Sequence, residues 1–190
     1  MAMDQPLRDR RVLVGLSGGI AAYKTATLVS RLVQAGASVR VVMTEAATRF
    51  ITPLTLQSLS GRPVLSSIWQ SDDQPESQHI GIARWAELMV IAPASADLIA
   101  KLHAGICDDL LSLSVCALPA GTPLLIAPSM NADMWDHPAT RRNIEALPGL
   151  LPDLTYVGPG EGWQACRTSG AGRMAEPEAI FDAVVTAVAG

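Results

Sequence analysis

The sequence predicts an α/β fold, a three-layer sandwich with helices on both faces of a mostly parallel sheet. Three observations predict it. Short apolar runs without polar interruption recur along the chain, as strands buried on both faces require. Between them lie stretches whose apolar residues recur at spacings of three and four, the period of a helix face. Ala, Val, Leu and Gly dominate and aromatic residues make up only 4%, which suits helices packed closely on a covered sheet.

The elements follow in order. RVLVG at 11–15 reads as a buried strand. It runs into Ser17, Gly18, Gly19 and Ile20 and then a helix, with Leu28, Val29, Leu32 and Val33 on one face and Gly36 as its stop. SVRVVM at 38–43 is the second strand. Residues 11–43 thus form a strand–loop–helix–strand unit, which implies a right-handed parallel crossover. A helical stretch follows at 53–60. ELMVIA at 87–92 is a third strand, 98–118 is helical in two pieces, and PLLIA at 123–127 is a fourth strand. A helix at 133–147, a short strand at 154–157 and a closing helix at 177–189 complete the pattern. SDDQPESQ at 71–78 is polar, contains Pro75 and reads as a loop. GPGEGWQACRTSGAG at 158–172 holds five glycines and one proline. A long segment of that kind is expected to be mobile and functional, so a lid is placed near 158–174. No repeat or compositional break divides the chain, and residues 1–190 are expected to form one domain.

Composition excludes several classes. A hydrophobic fraction of 49% and a mean hydropathy of +0.27 exclude a disordered chain. A net charge of −4 and a pI near 5.3 leave no electrostatic footprint for nucleic acid. The longest apolar runs, such as 88–94, are too short to cross a bilayer. The N-terminal MAMDQPLRDRR has no apolar signal core after its charges, so no membrane partner and a cytoplasmic location are expected. The three cysteines, Cys107, Cys116 and Cys166, show no CxxC spacing. Neither a disulfide framework nor a metal site is expected. Positive mean hydropathy in so small a chain points to apolar surface buried between subunits.

Several residues carry candidate chemistry, each beside a plainer reading. The Ser17–Gly18–Gly19 turn opens a helix directly after a strand, so its amides offer a phosphate site. It is not GxGxxG, which favours a mononucleotide over a dinucleotide. The alternative is a left-handed turn that simply needs glycine. Thr44 ends the second strand on the same sheet edge, where ligands of open α/β sheets bind. His79 is a candidate base or carboxylate partner, or a solvated histidine at a helix start. His103 and His137 read as surface or capping residues. Pro93, Ala94, Ser95, Ala96 and Asp97 follow the third strand. Their small side chains let a flat ring approach, and Ser95 or Asp97 equally suits a helix cap. Asn131, within PSMNADMW at 128–135, offers a directional amide for a carboxylate or a ring edge. It also suits an N-cap, with Met134 and Trp135 as core. Cys166 lies beside Arg167 and near Arg173, cations that can activate a thiol, or is inert on a flexible segment. Cys107 and Cys116 read as structural thiols in apolar helical surroundings.

Taken together, GLSGGIAAYK at 15–24, His79, PASAD at 93–97, AGICDDLL at 104–111, PSMNADMW at 128–135 and ACRTSGAGRM at 165–174 resemble one family. It is that of the homo-oligomeric flavin-containing cysteine decarboxylases, and the likeness covers nearly the whole chain. The resemblance implies a flavodoxin-like or Rossmann-like fold and FMN bound non-covalently at a subunit interface of a trimer or a multiple of trimers. It implies that Ser17, Gly18, Gly19 and Ile20 hold the phosphate region, and that Thr44, Phe50 and Ser129 line the cofactor site. Pro93, Ala94, Ser95, Ala96 and Asp97 would contact the flavin ring. His79 would be the catalytic base, and Asn131 would bind the substrate carboxylate with Met134, Arg173 and Met174 near the substrate. Cys166 would be the proton donor on the lid.

The implied reaction is FMN-dependent decarboxylation of phosphopantothenoylcysteine to phosphopantetheine, a carboxy-lyase step of coenzyme A biosynthesis. A simple carboxylate loses CO2 slowly, because the electrons left behind have no acceptor. Prior oxidation of the cysteine CH2–SH to a thioaldehyde supplies one. Loss of CO2 gives an enethiol, which a returned hydride and a proton from Cys166 convert to the saturated thiol. Two features depart from the family. Asp97 stands where Asn is common, and Arg167 and Thr168 follow the lid cysteine where Gly and an acidic residue are usual. A peptidyl-cysteine decarboxylase remains an alternative, although it needs no proton donor on a lid. A non-catalytic flavoprotein regulator is another, although such a protein usually carries an acidic tail. The synthetase often fused to such enzymes in bacteria has no counterpart in these residues, so that step is expected of another protein.

Overall fold

Five parallel strands form the centre of the computed structural model, which describes residues 5–69 and 78–189. They are β1 (Arg11–Leu16), β2 (Ser38–Met43), β3 (Leu88–Ala94), β4 (Leu124–Pro128) and β5 (Leu154–Tyr156), in the order β2-β1-β3-β4-β5. This is the doubly wound order of flavodoxin-like sheets, with its topological switch between β1 and β3. The five strands are those the sequence predicts, with ends shifted by a residue or two.

Alternation along each strand divides the apolar side chains between two cores. Val12, Val14, Leu16, Val90 and Leu125 enter one; Leu13, Met89, Ile91, Leu124 and Ile126 enter the other. Both faces are apolar, hence the unbroken hydrophobic runs. The first core is closed by α1 (Ala22–Gln34) through Leu28, Val29 and Leu32, by α3 (Pro53–Ser60) through Leu56, and by α9 (Pro177–Ala189) through Ile180 and Val184. The second is closed by α4 (Gln78–Trp85), α5 (Ala96–Ala104), α6 (Leu110–Cys116) and α8 (Pro138–Leu150), through Ile82, Leu98, Leu111 and Leu147. Each fully buried Leu or Ile contributes about 1.5–3 kcal/mol by leaving water. Gly15 lets α6 approach β1, because a Cβ there would collide with Leu111.

Several expectations are corrected. Val33 is substantially exposed, so the buried face of α1 is Leu28, Val29 and Leu32. The helix read at 133–147 is two: α7 (Ala132–Asp136) and α8, hinged at His137. Pro138 lacks the N–H that a continuous helix needs there and instead starts α8. A short helix α2 (Glu45–Thr48) follows β2. The segment at 158–172, read as a loop without strands, contains an antiparallel hairpin of β6 (Gly160–Trp163) and β7 (Ser169–Arg173). Its strands are glycine-rich and lack the β-branched alternation that marks a strand. The loop read at 71–78 lies outside the described residues, apart from Gln78, which opens α4. Among the described residues, no helix is long and apolar enough to cross a membrane, and no cluster of His, Cys, Asp and Glu is placed to hold a metal ion.

Candidate functional site

A cavity of about 1100 Å³ opens at the carboxyl edge of the sheet, beside the switch point. Four strand ends build it. β1 runs into Ser17, Gly18 and Gly19, β2 into Thr44, β3 into Ser95, and β4 into Ser129 and Asn131.

The same local rule shapes three of these ends. Thr44 Oγ1 accepts from Ala47 N at 3.2 Å, Ser95 Oγ from Leu98 N at 3.3 Å, and Asn131 Oδ1 from Met134 N at 2.9 Å. Each caps the helix that follows and sits on the cavity wall, so the capping and site readings of Ser95 and Asn131 hold together. Asp97 does not cap α5; it is an exposed carboxylate 3.7 Å from Lys101 Nζ. With Oδ1 committed to the cap, the NH2 group of Asn131 is the part left for a ligand.

The end of β1 differs. Ser17 is buried, and its hydroxyl donates to Pro93 O at 2.9 Å while accepting from Ser95 N at 2.7 Å. It clasps β1 to β3 across the switch point, and its single proton stays within the protein. Gly18 is required by proximity, not by a left-handed turn: a Cβ there would meet Ala46 Cβ at 2.6 Å, and its φ is not positive. The first turn of α1 carries no side-chain cap and no acidic residue. Of the other helices starting on the cavity, α2, α5 and α7 carry both, with Glu45, Asp97 and Asp133 in their first turns, and α6 is capped by the carboxylate of Asp109. Of these N-termini, α1 is therefore the one electrostatically open to an anion.

The β6–β7 hairpin closes the opposite side. Gly172 has φ +108°, and a Cβ on it would lie 2.6 Å from Met130 O. Met130 N donates to Gly172 O at 2.9 Å. The turn carries Cys166, whose Sγ lies 3.0 Å from Thr168 Oγ1 and 3.6 Å from Gln164 Oε1. Met134, Arg173 and Met174 also reach the wall. Met134 and Trp135 are not core, since α7 has no buried residue.

Charges on the wall are mostly paired. Lys101 Nζ sits among Asp108 at 2.9 Å, Asp109 at 3.3 Å and Asp97 at 3.7 Å. The hydrogen bond to Asp108 leads in raising its pKa to about 12. Glu176 accepts from Lys24 Nζ at 3.0 Å and Arg173 Nη2 at 2.6 Å. The Lys24 bond above all holds its carboxyl below the usual range.

Ser17, Gly18, Gly19, Ile20, Thr44, Ser95, Ala96, Asp97, Ser129, Asn131, Met134, Cys166, Arg173 and Met174 share this cavity. Pro93 and Ala94 lie behind it, buried in β3. Phe50 is about half exposed beyond α2 and does not line the wall. His79, on the first turn of α4, does not line it either. His137 caps α8 through Nδ1, as expected of a capping residue. Lys101, Trp163 and Gln164 were not singled out by their sequence pattern, since nothing there separates a wall residue from a surface one. Cys107 lies on the loop after α5, and Cys116 is exposed at the end of α6. Both line a second cavity of about 360 Å³, and burial pushes the Cys107 thiol up.

The sequence matches the Flavoprotein family over residues 2–189. The coenzyme A biosynthesis bifunctional protein CoaBC of Bacillus subtilis is 47% identical over 174 residues, 92% of this chain and 42% of that protein. The chain thus spans less than half the length of this relative. Among solved structures, a PPC decarboxylase mutant complexed with pantothenoylaminoethenethiol aligns with a TM-score of 0.83 at 33% identity, covering 96% of this chain and 100% of the other. The FMN binding protein AtHal3 aligns at 0.79 with 35% identity, covering 93% and 95%.

Proposed function

The chain belongs to the flavoprotein family, and on that premise we propose that it is an FMN-dependent carboxy-lyase converting phosphopantothenoylcysteine to phosphopantetheine in coenzyme A biosynthesis. The observation that carries the reading is the meeting, in one cavity, of the open N-terminus of α1, the amide of Asn131 and the thiol of Cys166. The similarity to CoaBC and to PPC decarboxylase supports it over a peptidyl-cysteine enzyme or a non-catalytic regulator.

The residues fit FMN. The uncapped first turn of α1 suits the phosphate. Gly18 allows the backbone to lie close beside α2 there. Ser95 and Ala96 present small side chains where a ring would lie, and the Ser95 proton remains free to donate. When bound, FMN supplies the oxidation of the cysteine CH2–SH to a thioaldehyde and the hydride that finally reduces the enethiol. Asn131 holds the substrate carboxylate through its NH2 group. Arg173, on the same wall and ion-paired to Glu176, borders the substrate. Cys166 gives its proton to the carbon that has lost CO2, beside the sulfur-bearing carbon that takes the hydride, and the hairpin keeps water from the reacting atoms.

His79 acts as the base. It lies off the cavity of its own chain, so it serves the site of a neighbouring copy in a trimer or a multiple of trimers. Exposed Ile20, Tyr23, Met134 and Trp163 at the cavity rim are the apolar surface such an interface would cover. A cytoplasmic location is proposed with the biosynthetic role.

The test is to load the protein with FMN, confirm the visible flavin band, and follow turnover in two variants. His79→Asn is expected to keep the flavin and lose turnover. Cys166→Ser is expected to release CO2 and stop at the enethiol. A Cys166→Ser protein that forms the saturated thiol at the parental rate contradicts the assignment.

A further inference from the structure

We infer that Gln164 is a positioning residue that locks the Cys166 thiol to the Asn131 end of the cavity. The inference rests on the decarboxylase reading for its chemistry and on the carboxamide's own bonds for its geometry.

Gln164 follows β6 and is only 7% exposed. Its side chain joins three parts of the site. Oε1 accepts from Ala132 N at 3.0 Å, and Nε2 donates to Ala171 O at 2.8 Å. The Cys166 thiol lies 3.6 Å from the same Oε1. Its backbone closes the turn around the cysteine, with Gln164 N donating to Thr168 O at 2.8 Å and Arg167 N to Gln164 O at 2.9 Å.

The consequence lies in what flanks Asn131. On one side Met130 N is bonded to Gly172 O of the hairpin; on the other Ala132 N is bonded to Gln164. The residue assigned to the carboxylate therefore sits between two bonds to the segment that carries the thiol. One buried carboxamide sets the separation between the group that anchors the substrate and the group that completes its reduction. A proton donor displaced by about 1 Å loses on the order of 100-fold in rate, whereas loss of CO2 precedes the thiol's step and does not need it.

The experiment compares the FMN-loaded parent with Gln164→Met, which keeps length and loses the carboxamide's hydrogen bonds to Ala132, Gly170 and Ala171. Gln164→Glu keeps the acceptor for Ala132 N and loses the donor to Ala171. With phosphopantothenoylcysteine as substrate, Gln164→Met is expected to raise the ratio of enethiol to saturated product by about 100-fold, with CO2 release within a few-fold of the parent. Gln164→Glu is expected to recover part of the parental ratio. A Gln164→Met protein with the parental ratio, or one slowed equally in both steps, overturns the inference, since a merely structural residue would slow both. Amide hydrogen exchange supplies a readout independent of activity. In Gln164→Met the Ala132 amide is expected to exchange faster, while the Met134 amide, bonded to Asn131 itself, keeps its protection. Unchanged exchange at Ala132 overturns the clamp. If the parent forms no product, the decarboxylase reading falls, and the exchange result alone judges the clamp.

Discussion

Ser17 shows how one hydroxyl serves the fold and leaves the ligand to its neighbours. It is buried, donates to Pro93 O and accepts from Ser95 N. Ser17→Ala would leave the Ser95 amide unpaired, while Pro93 O keeps its bond from Ser17 N, and a loss of about 1–3 kcal/mol is expected, read by denaturant unfolding. The paired charges give two pH predictions. Glu176 is held below the ordinary carboxylate range, chiefly by the Lys24 hydrogen bond. Its contribution is present above the ordinary carboxylate pKa and is lost as pH falls through the folded value. Glu176→Gln should thus be less stable than the parent at neutral pH and match it in acid. Lys101 has the opposite sign. With its pKa raised from 10.5 to about 12, its contribution is full below 10.5 and fades as pH rises through about 12. Unfolding of Lys101→Met against the parent on either side of that window checks it. At this scale the sequence shows residue types but not partners. Ser95 and Asn131 are legible because a cap after a strand places them at the sheet edge. Gln164 is not, because its side-chain partners lie at 132, 166, 170 and 171.

The β6–β7 hairpin is the element the sequence hides. Its pairs include Gly162 with Gly170 and Glu161 with Ala171, so neither strand shows apolar alternation. What holds it is close approach to the start of α7: a Cβ on Gly170 would lie 2.7 Å from Ala132 Cβ, and one on Gly172 2.6 Å from Met130 O. Gly172→Ala faces that contact at φ +108° and is expected to cost about 1–3 kcal/mol. It should also lower flavin-dependent turnover, as thermal melting and a rate assay would show. At Gly170 and Gly172 the glycine is required by tight docking. The break at His137–Pro138 was legible in principle, since Pro138 forbids a continuous helix, but the apolar period across 133–147 hides it. The buried strands were legible because burial on both faces leaves an unambiguous apolar run.

At the scale of the molecule, the order β2-β1-β3-β4-β5 follows from right-handed crossovers and the reversal after β2. That reversal opens the crevice between β1 and β3, and helices starting from four strand ends surround it. The site is thus a property of topology, furnished by short polar caps. The cavity wall carries most of the residues expected of it, while His79 stands apart on α4. In the proposed assembly His79 serves the site of a neighbouring copy, an arrangement that the sequence of one chain would not display. Mixing inactive His79→Asn with inactive Asn131→Ala protein should restore part of the activity if sites are shared between subunits, and none if each chain acts alone.

The central claim is that this cavity decarboxylates a cysteine derivative and reduces the result. Mass spectrometry of the product formed from phosphopantothenoylcysteine by FMN-loaded protein tests it most directly. The account predicts a product lighter than the substrate by one CO2 and otherwise fully hydrogenated. A product lacking two further hydrogens would contradict the role of Cys166, and an unchanged substrate would contradict the decarboxylase assignment itself.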